Sequence, residues 1–175
     1  MQIRPYTLYI YRLLLLLLPL TLGGCSDDDD VLEIFTGKTW KLSYISAEGN
    51  HKWIDLWGNN DAAYQNSMKL LEAEDTFTLG FAGSEAVEGT SGGTLNGQGV
   101  NLKFTGTWRA DGDSRKLTLS LQTSGNDSDV LAKAFLSGLQ NAFRYEGDSQ
   151  NLFIYYKEGQ VTRFMGFKPD RKSVV

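Results

Sequence analysis

Few residues in this chain have the type and spacing that chemistry demands. His51 is the single histidine and Cys25 the single cysteine. A Ser-His-Asp device would have to run through His51, in the loop Gly49-Asn50-His51-Lys52, and no Gly-x-Ser-x-Gly elbow offers it a nucleophile. One cysteine cannot close a disulfide within the chain or build a Cys or Cys/His zinc cluster. Asp111 and Asp113 are close enough to act as paired carboxylates, yet they flank Gly112 in a hairpin turn, where aspartate serves the backbone. Asp127 and Asp129 could ligate calcium, but beside a helix start they read as caps, and the rest of a D-x-D-x-D-G-x₅-E loop is absent. The glycines at 89–99 form neither a Gly-Lys-Ser/Thr loop nor a G-x-G-x-x-G turn, and read as a flexible hairpin or strand-edge loop. No catalytic residue, metal ligand or cofactor is assigned, and the chain is read as a non-enzyme.

Trp53 and Trp57 are the candidate binding residues. With Ile54 and Leu56 they make an apolar run outside any clear strand. Exposed, they would stack on sugars or anchor a partner; folded over a barrel mouth, they would be core. Tyr155 and Tyr156 pose the same choice, since one of two neighbours on a strand must face outward.

The elements that must position these residues are mostly short strands. From Thr39 the chain alternates, with Trp40, Leu42 and Tyr44 on one side and Lys41 and Ser43 on the other. A helix is predicted from a cap at Asp61 to about Ala73, and Phe77, Leu79 and Phe81 then alternate in a second strand. A short strand is expected near 86–88. A long one runs through Val100, Leu102, Phe104, Gly106 and Trp108, and the Asp111-Gly112 turn leads to Leu117, Leu119 and Leu121. Asp127 or Ser128 would cap a helix over about 129–142, with Leu131, Phe135 and Leu139 on one ridge. Strands through Leu152–Tyr156 and Val161–Phe167 follow, and Pro169 ends the last. Seven or eight strands and one or two helices predict a mainly β fold, an antiparallel curved sheet or small barrel.

Charge narrows the partners. Without Arg4 and Arg12 of the leader, 15 basic residues face 21 acidic ones, a charge of −6. Setting aside Asp27-Asp28-Asp29-Asp30 leaves 15 against 17, or −2, with no basic excess for nucleic acid or anionic lipid.

Arg4 and Arg12 precede a ten-residue apolar segment, Leu13–Leu22, too short to span a ~30 Å bilayer but the right length for a signal peptide. The stretch Leu22-Gly23-Gly24-Cys25 resembles the lipobox of bacterial lipoproteins. The resemblance implies cleavage before Cys25, lipidation of its thiol and amine, and anchorage in a membrane by several acyl chains. Ser26-Asp27-Asp28-Asp29-Asp30 resembles the acidic export signal of Bacteroidota surface lipoproteins, which implies display on the outer face of the outer membrane. The same run also reads as a solvated tether, and the periplasmic leaflet stays open. The expected organisation is a leader at 1–24, lipidated cysteine and tether at 25–34, one domain at 35–169 and a frayed tail at 170–175.

Within the domain, Gly37-Lys38-Thr39-Trp40-Lys41-Leu42 is similar to the opening of META/HslJ-type domains, as is Lys133–Leu139 followed by Tyr145, Gly147-Asp148 and Leu152-Phe153-Ile154. Gly99-Val100-Asn101 stands where that family has Gly-Cys-Asn, with valine for cysteine. Lipocalin-like domains share an early glycine and tryptophan at a different spacing. Either resemblance implies a small barrel and says little about activity. The function expected is therefore a ligand- or glycan-binding module on a lipid anchor. The alternative is a structural or inhibitor-like interaction domain whose partner is another envelope protein.

Overall fold

The computed structural model describes residues 28–50, 52–85 and 90–170. Among them three helices and eight strands follow in the order α1 (Asp28–Phe35), β1 (Thr39–Ala47), α2 (Asp61–Glu72), β2 (Thr78–Glu85), β3 (Thr90–Gln98), β4 (Lys103–Asp111), β5 (Leu117–Ser124), α3 (Val130–Gln140), β6 (Ala142–Gly147), β7 (Leu152–Glu158) and β8 (Val161–Pro169). The strands form one antiparallel sheet, ordered β5-β4-β3-β2-β1-β8-β7-β6. Drawn as a ring, that is chain order with a single break between β5 and β6. The two edges touch at one end, where Tyr145 N–H donates to Arg115 O at 2.9 Å and Lys116 bridges Arg144. α3, which links these strands, lies over the rest of the seam. The sheet is strongly curved but not closed.

The interior is filled by the alternating residues that the sequence marks as apolar. Trp40, Leu42, Phe77, Leu79, Phe104, Leu117 and Ile154 are all buried, and Leu131, Phe135 and Leu139 of α3 are each 0% exposed. The helix ridge expected at 131, 135 and 139 is thus the face that covers the sheet.

Several details differ from the expected pattern, each for a local reason. α1 starts inside the acidic run, and Val31 and Ile34, which the sequence assigned to a tether, are buried core residues. Tyr44 does not share a face with Trp40 and Leu42. A bulge between Leu42 and Tyr44 advances the register, so Tyr44 lies opposite Gly166 on the outer face and Ile45 turns inward. The cap of α2 is Asn60, whose side chain accepts from Ala63 N–H at 3.0 Å, and the cap of α3 is Asp129, not Asp127 or Ser128. Residues 99–102 turn before β4 starts at Lys103, and β6 is a full strand between α3 and β7.

The glycine-rich stretch is not a loop. β3 spans Thr90–Gln98 and pairs along its whole length with β2 and β4. A Cβ on Gly83 would come within 2.2 Å of Gly92 O, and one on Gly93 within 2.1 Å of Ala82 O. The strands cross so closely here that only glycine fits. The indole of Trp108, paired with Gly93, covers the gap and donates to Ala82 O at 3.1 Å.

α1 sits at one end of the ring. Phe35 enters the interior, Thr36 bridges Phe81, and Lys38 Nζ donates to Ser149 O in the β6–β7 turn at 3.1 Å. The β4–β5 turn lies at the same end. Loop 48–60, the start of α3 and the β3–β4 turn gather at the other. Asp170 is held by its N–H on Thr39 O at 2.7 Å; the expected tail beyond it, 171–175, lies outside the described residues.

Candidate functional site

Loop 48–60 positions the two candidate tryptophans, and its own residues stiffen it. The buried Ser46 hydroxyl lies 2.8 Å from Asn50 O and 2.7 Å from Lys52 O. Ile54 N–H donates to Ile45 O at 3.1 Å, on the length of β1 that β2 leaves unpaired. Asp55 accepts from Trp57 N–H at 3.1 Å and Gly58 N–H at 2.7 Å, a turn that delivers the chain to the Asn60 cap.

Trp57 is fixed at its polar corner. Its indole N–H donates to Ser67 Oγ at 2.9 Å, and the Ser67 hydroxyl donates to Asp129 Oδ2 at 2.8 Å. The other oxygen of Asp129 accepts from Ala132 N–H at 3.0 Å. One chain of hydrogen bonds therefore ties loop 48–60, α2 and α3 together. Trp53 lies 6.0 Å from Trp57 at a tilted angle, and Tyr64 meets Trp57 edge-on at 5.1 Å. Both indoles are half-buried against the core, and Tyr64 is 39% exposed. The arrangement is neither of the two expected extremes. The rings back onto core residues and keep part of their surface in solvent, as a ledge.

On the other flank of Ser67 a surface groove of about 470 Å³ runs between α2 and the start of α3, lined by Asn66, Val100, Asn101, Asp127, Asp129 and Val130. Asp127 is already occupied. Its buried carboxylate accepts Val100 N–H at 2.9 Å, Asn101 N–H at 2.6 Å and Leu102 N–H at 3.3 Å, which clamps the β3–β4 turn. Asp127 thus acts on the backbone as a clamp, and Asp129 caps α3 while holding the Ser67 hydroxyl. Asp111 does likewise: Ser114 donates to it from N–H at 2.7 Å and from Oγ at 2.8 Å, and these bonds hold its carboxyl below the usual range. Among the described residues no group of three or more His, Cys, Asp or Glu side chains is placed to hold a metal, and no helix is long and apolar enough to cross a membrane.

Cys25, Ser26, Asp27 and His51 lie outside the described residues. Asp28, Asp29 and Asp30 form the first turn of α1.

The sequence reading singled out only Tyr155 of a second aromatic group, on the outer face of β1, β6, β7 and β8. Phe164 meets Tyr44 at 5.7 Å, Phe153 at 5.8 Å and Tyr155 at 5.5 Å. Arg144 lies over the Tyr155 ring at 4.0 Å and pairs with Glu48 at 2.6 Å and Glu146 at 3.3 Å. Tyr155 is outward but 9% exposed, under these neighbours, while Tyr156 faces the interior. The signal was available in principle, because Phe153, Tyr155 and Phe164 are apolar at positions where a solvated face would be polar.

The profile of one protein family, described as a domain of unknown function (DUF4847), matches residues 26–169. The chain belongs to that family. The DUF4847 match begins before α1 and ends with β8, so the helix at 28–35 lies inside it. A crystal structure of a DUF4847 family protein from Bacteroides vulgatus ATCC 8482 has the same fold, with a TM-score of 0.56 and 24% identity over 79% of this chain and 96% of that one. No curated protein matches.

Proposed function

We propose that this DUF4847 chain is a lipid-anchored protein of the outer membrane, displayed on the cell surface. Its domain is a non-catalytic glycan-binding module. The observation that carries the binding reading is the Trp53–Trp57–Tyr64 ledge, braced through Ser67 to the cap of α3. Two features support it. The ring interior is packed with side chains, so a ligand would sit on the surface. The ledge combines partly exposed aromatic faces with the side-chain amides of Asn66 and Asn101 in the neighbouring groove, a pairing suited to the apolar faces and hydroxyl edges of sugars. In architecture we read the domain as META- or lipocalin-like, since its strands run in chain order around the ring.

A glycan array with the mature protein in detergent, followed by calorimetry on each hit, tests this reading. Trp57→Ala should weaken binding at least about tenfold, the scale of a lost aromatic anchor. Full affinity in both Trp53→Ala and Trp57→Ala would remove the site. Anchorage is tested by labelling with a fatty-acid analogue, which Cys25→Ala should abolish. Replacing Asp27–Asp30 by alanine should retain the protein inside the cell while leaving α1 helical, because alanine is the best helix former.

A second reading has one observation in its favour: Tyr44 and Phe153, partly exposed over the buried Phe164, face outward on the sheet, as an interaction domain would require. Loss of a protein partner on Tyr44→Ala, with glycan binding absent, would support it.

A further inference from the structure

We infer that the domain stands directly on the bilayer by its α1 end, with the Trp53–Trp57–Tyr64 ledge at the membrane-distal end; this rests on the proposed lipidation of Cys25. The acidic run is too short and too soon folded to hold the domain away. α1 begins at Asp28, three residues after Cys25, and three extended residues reach only about 10 Å. Val31 is already 1% exposed in the core, so the position of α1 is set by the barrel and not by the chain before it.

The α1 end can be identified from contacts. Glu33 and Ile34 share a surface hollow with Arg115 of the β4–β5 turn and Gly147, Asp148 and Ser149 of the β6–β7 turn. Lys38 Nζ donates to Glu33 O at 2.7 Å as well as to Ser149 O, fastening the helix to that turn. An acyl chain attached just before α1 therefore brings these two turns to the headgroups. The opposite end is equally defined. Glu48 N–H donates to Thr162 O at 3.1 Å, which places the start of loop 48–60 beside the β7–β8 turn, and Trp57 reaches the cap of α3 through Ser67. Strands of eight or nine residues, tilted as in a barrel, separate the two ends by roughly 20–25 Å. A ligand held in solution or on another surface would meet the ledge and not the membrane.

The test uses the mature lipidated protein in phosphatidylcholine vesicles with a nitroxide quencher on a fraction of the headgroups. Lipidation blocks the only native thiol, so a cysteine introduced by Asp113→Cys in the β4–β5 turn or Gln160→Cys in the β7–β8 turn takes a fluorophore selectively; both positions are exposed. The expected result is at least threefold stronger quenching at 113 than at 160. Equal quenching, or stronger quenching at 160, overturns the orientation even though the protein floats with the vesicles. A protein that does not float overturns the lipid anchor and this inference together, and leaves glycan binding by the ledge standing. Both labelled variants should keep the thermal midpoint of the parent, which shows that the domain is folded in each.

Discussion

Phe35 and Trp108 stack with ring centroids 4.8 Å apart and planes 25° from parallel, so the last residue of the first helix closes on the middle of β4. Phe81 and Tyr145 meet Phe35 edge-on, each at 4.9 Å. α1 is therefore the plug of the ring. Phe35→Ala should cost about 3–5 kcal/mol, the usual range for truncating a buried aromatic, and a urea titration would show it. A loss below about 1 kcal/mol would mean that α1 lies on the domain without closing it.

Asp127 and Asp129 sit two residues apart and should respond differently. Asp127→Ala strips the acceptor from three backbone N–H groups near the β3–β4 turn, and should cost roughly 2–4 kcal/mol. Asp129→Ala removes a helix cap and the partner of Ser67, worth about 1–2 kcal/mol. Equal losses in denaturant titrations, or the reverse order, would contradict this division into clamp and cap.

Alkali should destabilise the fold in a defined window. Burial first, then the hydrogen bond and charge of Glu146, push Tyr155 up to about 12. Burial beside Glu158 takes Tyr156 to about 12 against the opposing charge of Arg163. Unfolded tyrosine titrates near 10. Between pH 10 and 12 the unfolded chain loses protons that the folded chain keeps. The stabilisation from these groups is complete below pH 10 and disappears as pH rises through 12. A tyrosinate absorbance titration should show a component that ionises late. Tyr155→Phe with Tyr156→Phe should flatten the fall of thermal midpoint across that window.

Two glycines should resist substitution for separate reasons. Gly93→Ala drives a Cβ into the β2 backbone, Ala82 O at 2.1 Å and Gly83 Cα at 2.6 Å, and should cost at least ~2 kcal/mol. Gly49→Ala meets no neighbour but must hold φ of +79°, a strain of about 1–2 kcal/mol. Thermal denaturation of both proteins checks the order. A Gly93→Ala protein as stable as the parent would show that β2 and β3 can separate there.

Much of the fold was legible along the chain because it depends on neighbours a few residues apart. Alternation at 77–81 and at 117–121 names strands, and the spacing of Leu131, Phe135 and Leu139 names a helix and its buried face. The Asp111-Gly112 turn follows from the same local logic, whereas the half-buried placement of Trp53 and Trp57 matches neither of the two readings that the sequence leaves open. Other features needed the third dimension. No local rule separates Asp127 from Asp129 as cap, since both lie just before the helix and only the proximity of residues 100–102 takes the first away. The bulge at Leu42–Tyr44 exists only against β8, and β3 looks like a loop until β2 and β4 press on its glycines.

Residue order alone was enough for a mainly β domain of seven or eight short antiparallel strands with a covering helix, because periodicity and turn chemistry act within a few residues. Tertiary packing decided where the ring breaks, that α1 plugs it, and that Trp57 is braced through Ser67 to Asp129. Ser67 and Asp129 alone stand 62 positions apart in the chain, and such distant partners are selected only when burial and hydrogen bonding bring them into one place.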